Sequence, residues 1–281
     1  MRKRILALLL CVCMAVTCFA YSAADAFLSG DANGDGKVSA ADAALALRYI
    51  VGLDHRMTTH GKMQADIDLN GSIDADDAAA ILRHVARLQT IETVETDAEL
   101  LQRLNQKSML DDRNMTEWVA RFIQALPSNS PYRTILYEGA KFLGRPYSEF
   151  TCDQFVSAAY NDAGIPKTVY PQLSSNNTLD WFREKDRKIQ DPDQKYLQPV
   201  VIKGYDPGTN KPIFDTSKWK PGYVLLYTNP SNNRGNHLAL YVGCIDGTDI
   251  IMDSGTSDGV RLIELWEYSN WKLSYYIDPL K

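Results

Sequence analysis

The sequence predicts an α+β protein in two parts, a small all-α module built on two cation-binding loops and a larger domain of helices and antiparallel strands. Three observations predict it. The loop DANGDGKVSAAD, Asp31 to Asp42, returns from Asp66 as DIDLNGSIDADD. Each copy runs straight into an apolar pattern of helical period, DAALALRYIVGL and DAAAILRHVARL. Further on, a capped helical stretch, TCDQFVSAAYNDAGIP, is followed by the strand-like run HLALYVGC and then by IIMDSG.

The chain opens with MRKR, an apolar run from Ile5 to Ala20, and small residues ending at Ala26. This pattern predicts a secretory signal peptide over residues 1–26, and the run is too short for a membrane span. The expected location is therefore extracellular. Loss of Arg2, Lys3, Arg4 and Asp25 would take the formal charge from −5 to −7. An acidic chain without basic runs is a poor partner for nucleic acid or anionic membrane.

The loop spacing is that of calcium coordination. Calcium takes six to eight hard oxygen ligands. Asp31, Asn33, Asp35 and Asp42 supply side chains in the first copy and Lys37 a backbone carbonyl, while Gly36 permits the sharp turn. In the second copy Asp66, Asp68, Asn70, Ser72 and Asp77 stand in register. Only Phe27 to Gly30 would precede the first loop after cleavage, which leaves no room for the entering helix of an EF-hand. The twelfth ligand is Asp in both copies, where a sensor loop has Glu. One helix per loop predicts a static, calcium-folded unit and not a sensor that swings two helices apart.

These residues closely resemble a type I dockerin, the duplicated loop-helix module that plugs into cohesin domains of extracellular, cellulosome-type scaffolding proteins. The resemblance runs from about Gly30 to Leu88, within a module expected over residues 27–92. It implies two structural Ca2+ ions and a cohesin partner. It also implies the partner-facing residues: Ala40, Ala41 and Arg48 in one copy, Ala75, Asp76 and Arg83 in the other. The copies differ there, so the two faces present different side chains.

Residues 93–130 are polar and charged, with an amphipathic stretch near Ala98 to Leu104 and a second in MTEWVARFIQALP. They predict a partly helical linker. The remaining 131–281 has the length for one further core.

Of five cysteines, Cys11, Cys13 and Cys18 fall in the predicted leader, leaving Cys152 and Cys244. Past His84 the one histidine is His237. Thr151 and Gln154 form a capping-box pattern and Gly164 with Pro166 a stop, which puts Cys152 at the first helical position. There the helix dipole and free backbone N–H groups favour the thiolate. Cys244 lies seven strand residues past His237, about 23 Å away, too far to serve that imidazole. The alternatives are a Cys152–Cys244 disulfide, common in secreted chains, or a Cys152 that merely fills space.

Here the chain resembles the NlpC/P60 family of papain-like cysteine peptidases, mostly bacterial cell-wall endopeptidases. The matching segments are AKFLGRPYSEFTCDQFVSAAYNDAGIP, WKPGYVLLY, NHLALYVGC and IIMDSG, in that order. The resemblance implies N-terminal helices packed on an antiparallel sheet, Cys152 as nucleophile, His237 as base and Asp253 as the third, orienting residue. Tyr147 matches a tyrosine near the nucleophile. Catalysis would need no cofactor. The family usually reads Asp-Cys-Ser-Gly-Phe at the nucleophile, whereas this chain reads Thr-Cys-Asp-Gln-Phe. Thr151 keeps the cap, but Asp153 sets a carboxylate beside the thiol, which opposes thiolate formation and alters what the site binds.

A hairpin centred near residue 245 would set His237 opposite Asp253 on one face. A tight turn at Asp246-Gly247 would slide the register and spoil the pairing. The sequence permits both. The long polar insertion 167–218 predicts either a cleft-shaping lid or a surface excursion. Together these features predict a secreted, cohesin-docked cysteine hydrolase of amide bonds, with peptidoglycan stem peptides as substrate. The alternatives are a scaffold-bound cysteine protease, an amide-transferring enzyme using the same three groups, or a non-catalytic dockerin-borne binding protein.

Overall fold

A computed structural model describes residues 27–171, 173–266 and 271–281, so the expected signal peptide lies outside the described residues. The chain divides into two compact units, one ending at Val94 and one from Glu95 to Lys281. The stretch Asp68–Ser72, at the tip of a loop, groups with the second.

The first unit holds helices α1 (Ala40–Ile50), α2 (Thr59–Ala65) and α3 (Ala75–Val85). Both loop helices start where side chains satisfy the first-turn N–H groups. Ser39 caps α1 and Asp74 caps α3, with Asp42 and Asp77 reaching back as the reciprocal partners. α1 packs on α3. Ala32, Met57 and Ala65 form a small core, backed by Leu45, Tyr49 and Ile73. α2 departs from the expected one helix per loop. It is seven residues long, capped by the Thr58 hydroxyl, which accepts from the Gly61 amide at 3.0 Å. Met63 and Ala65 within it are fully buried. So short a helix has no repeat for a periodicity reading to detect.

The second unit is a helix-on-sheet structure. Its helices are α4 (Ala98–Gln106), α5 (Arg113–Ala125), α6 (Pro131–Ala140), α7 (Cys152–Asp162) and α8 (Ser175–Asp186). Its strands are β1 (Leu197–Pro199), β2 (Ile202–Tyr205), β3 (Pro212–Phe214), β4 (Val224–Thr228), β5 (Gly235–Ile245), β6 (Thr248–Gly255), β7 (Gly259–Glu264) and β8 (Lys272–Ile277). Six strands make one antiparallel sheet in the order β1-β8-β4-β5-β6-β7, and β2 pairs with β3 apart from it. α7 packs on β5, β6 and α6.

The segment expected as a linker is helical, but it belongs to this unit's core. Leu100, Leu104, Trp118, Val119 and Ile123 are completely buried, and α4 and α5 pack on each other and on α6. Their apolar faces would otherwise meet water, at about 25 cal/mol per Å². The insertion is likewise built in. α8 packs on β5 and β1, β1 extends the sheet beside β8, and Tyr170, Leu179 and Phe182 are buried.

The β5–β6 hairpin takes the tight turn. Asp246 and Gly247 have φ of 50° and 75°, the left-handed pair that a two-residue turn of primed type requires. Continued regularly, this turn would put His237 and Asp253 on opposite faces. A bulge between Tyr241 and Gly243 inserts Val242 and shifts the register, so that Ala239 pairs with Asp253. His237, two residues before Ala239, therefore shares a face with Asp253 as its diagonal neighbour. Among the described residues no helix is long and apolar enough to cross a membrane.

Candidate functional site

Cys152 is the first residue of α7 and is 5% exposed. The capping box is present, with the Thr151 amide donating to Gln154 Oε1 at 3.0 Å. The helix start is anchored to the sheet. Ser254, next to Asp253 on β6, donates its hydroxyl to the Phe150 carbonyl. Gly259 has φ +70° and lies so near the Arg145 carbonyl that a side chain there would collide with it, and the Val260 amide donates to that same carbonyl at 2.9 Å. The loop leading to Cys152 is thereby held at the end of β7.

His237 is 2% exposed and faces Tyr227 across the β4–β5 ladder. Its Nε2 lies 3.0 Å from Asp253 Oδ2, and the Cys152 thiol acts on the ring's basicity. With Nε2 committed to the carboxylate, Nδ1 is the nitrogen left for sulfur. The three residues are thus brought together. Tyr147 is half-buried, and its acidity is weakened by burial and by the charges of Cys152 and Asp153, which places it within electrostatic reach of the thiol. Asp153 Oδ1 lies 4.0 Å from Cys152 Sγ and accepts from the Thr151 hydroxyl at 2.9 Å.

Both Cys152 and Cys244 are free thiols. Burial first, then the Asp249 carboxylate, push the Cys244 thiol up to about 11. That makes it a poor nucleophile at neutral pH.

Two features of the site escaped the sequence. The His237 ring stacks on Trp271 at 5.1 Å and lies 5.4 Å from Tyr227 and 5.8 Å from Trp266, a wall that excludes water around the imidazole. The other is Arg261, directly opposite Asp253 on β7. Its Nε donates to Asp253 Oδ1 and its Nη1 to Asp258 Oδ2, both at 2.8 Å. The signal was available, since Arg261 is the one basic residue in the strand GVRLIE, with apolar residues on either side of it.

Burial alone would lower the basicity of His237. Hydrogen bonds and charge from Asp253 and Cys152 outweigh it and push the imidazole up to about 9. Burial likewise acts to raise Asp253, but His237 and Arg261 hold it below the usual carboxylate range. The imidazolium's contribution to stability is therefore complete below its unfolded value of about 6.5 and is lost as pH rises through about 9. Arg261 competes with His237 for one carboxylate. NMR titration of the His237 ring should show a midpoint near 9, and Arg261→Gln should move it upward. An unmoved midpoint would show that Arg261 only fills space.

The second loop of the first unit gathers carboxylates. Asp66, Asp68 and Asp77 each offer a carboxylate oxygen, all within 4.8 Å of one another. Asp31, Asp42, Asp66 and Asp77 are buried. Asp31 accepts the Gly34, Asp35 and Gly36 amides, which curls the first loop around its carboxylate. Like charges this close fit a cation, which would neutralise them. Asn33, Asp35 and the Lys37 carbonyl in the first loop, with Asn70 and the Ser72 carbonyl in the second, complete the sets that would hold Ca2+. Ala40, Ala41, Arg48, Ala75, Asp76 and Arg83 are all exposed. Leu47 and Val51 on one helix side and Leu82, Val85 and Leu88 on the other stand exposed with them.

In comparison with known proteins, residues 29–86 match the family of the dockerin type I domain. No curated protein and no solved structure matches the chain. The paired cation loops, their capped helices and this match make residues 29–86 a dockerin type I domain, the calcium-binding, cohesin-docking module of cellulosome-type extracellular proteins.

Proposed function

We propose that residues 95–281 are a cysteine hydrolase of NlpC/P60 type, delivered to a cohesin scaffold by a dockerin that holds two Ca2+, one per loop, after export through the signal peptide. The observation that carries it is His237, bonded to Asp253 at one nitrogen, with the helix-terminal Cys152 thiol acting on the ring's basicity. The thiol proton passes to Nδ1, and the thiolate attacks an amide carbonyl. The imidazolium then protonates the departing amine, leaving a thioester on Cys152. Water, deprotonated by His237, releases the acid and restores the thiol. Asp253 holds the ring in the tautomer and orientation these steps require.

Peptide stems of peptidoglycan are the substrate the family resemblance favours. A scaffold-bound protease is the second reading, favoured by Asp153, whose carboxylate beside the thiol disfavours an anionic group in the adjacent subsite. Incubation of the full chain with purified cell-wall fragments and, separately, with denatured protein, followed by mass spectrometry, decides between them. Muropeptide cleavage that disappears in Cys152→Ala supports the endopeptidase. Cleavage of denatured protein alone moves the assignment to the protease, and no product from either sets aside both.

A further inference from the structure

Arg261 is shared between two carboxylates, and the sharing is uneven. Its Nε donates to Asp253 Oδ1 at 2.8 Å, whereas Nη2 stands 3.4 Å from Asp253 Oδ2. Oδ2 is the oxygen that His237 Nε2 meets at 3.0 Å. A guanidinium facing one carboxylate alone takes both oxygens in a closely spaced fork. Here the far nitrogen, Nη1, donates to Asp258 Oδ2 at 2.8 Å, which draws the fork off Asp253 Oδ2 and leaves that oxygen to the imidazole.

The surroundings of the guanidinium hold this geometry. Arg261 is 4% exposed and Asp253 completely buried. A Cβ on Gly255 would lie 2.8 Å from Arg261 Cζ and Nη2, so the glycine leaves the space that the guanidinium fills, and the Trp266 ring faces it at 6.0 Å. Gly255 pairs with Gly259 at the end of the β6–β7 ladder, and the turn between them carries Asp258 to Arg261. The Ser257 hydroxyl donates to Asp258 Oδ2 at 2.6 Å, and Lys107 Nζ lies 3.8 Å from Oδ1. Charges therefore alternate outward from the ring, through His237, Asp253, Arg261, Asp258 and Lys107. The Cys152 thiol acts on the same ring from α7, and Tyr227 flanks it from β4.

We propose that Asp258 is a positioning residue of the reaction centre, which holds Nη1 of Arg261 and so keeps the guanidinium from drawing Asp253 away from His237. Its consequence for catalysis rests on the hydrolase reading above. Asp258 stands behind Arg261 and acts through it. With Asp258 neutral, Arg261 would close its fork on both oxygens of Asp253, and its unbalanced positive charge would weaken the imidazole as a base.

The test compares the full chain with Asp258→Asn, Arg261→Gln and the double variant, by NMR titration of the His237 ring and by pH–rate profiles. Asp258→Asn should lower the ring midpoint from about 9 by on the order of one pH unit, opposite in sign to Arg261→Gln. The limb of the pH–rate profile that follows the imidazole should move with it, with kcat reduced and KM unchanged, and Asp258→Glu should restore both. In the Arg261→Gln background Asp258→Asn should move nothing further, because its effect passes through the guanidinium. An unmoved midpoint in Asp258→Asn overturns the proposal. So does a shift of the same size in the Arg261→Gln background, which would make Asp258 a distant charge and nothing more. The expected ring shifts in a chain that cleaves neither muropeptide nor protein would support the positioning and overturn the hydrolase reading.

Discussion

Cys152→Ala and His237→Ala are each expected to lower turnover by roughly 10³-fold or more, since nucleophile and base act as a unit and loss of either removes the same step. Asp253→Asn should cost less than loss of His237. An amide still orients the imidazole, though it no longer balances the charge of the imidazolium and of Arg261. Cys244→Ser should leave turnover essentially intact, because that thiol is free and poorly ionised. Steady-state rates on whichever substrate the product analysis identifies provide the measurement. A Cys244→Ser protein as inactive as Cys152→Ala would show that the wrong thiol has been chosen.

Chelation should have the second large effect, confined to one part of the chain. Without a cation, Asp66, Asp68 and Asp77 repel one another across less than 4.8 Å, and the buried Asp31 and Asp42 lose the ligand that justifies their burial. Hydrogen exchange on the full chain should show peptides from 31–88 losing protection in chelator, with cohesin binding lost alongside, while peptides from 95–281 remain protected. Calcium at a hundred times its Kd would restore about 2.7 kcal/mol. Equal protection of 31–88 with and without chelator would rule out a calcium-folded unit. Loss of turnover on chelation would instead point to a sensor.

The parts of the fold written locally were legible in the sequence. The two loops, their caps at Ser39 and Asp74, and the start of α7 at Cys152 each depend on residues within a few positions of one another. The packing of α4 and α5 was not legible, because an amphipathic helix looks the same whether its apolar face meets its own domain or something else. Arg261 was hidden for a related reason, since its role follows from the β6–β7 register, which no local pattern encodes. Asp253 was named from family order, but its geometry depends on a bulge at Val242 that only the neighbouring Gly243 in HLALYVGC hints at.

That bulge gives the hairpin a parity. Because successive residues of a strand point alternately up and down, the meeting of His237 and Asp253 depends on whether the number of residues between them, less the turn and the bulge, is odd or even. A single added or deleted residue anywhere in that span, unless absorbed by a second irregularity, would turn one partner to the far side of the sheet together with the strand residues beside it. A two-residue change would keep them on one side. The chain length between the two groups is therefore constrained in steps of two, a restriction on sequence drift that neither side chain reveals by itself.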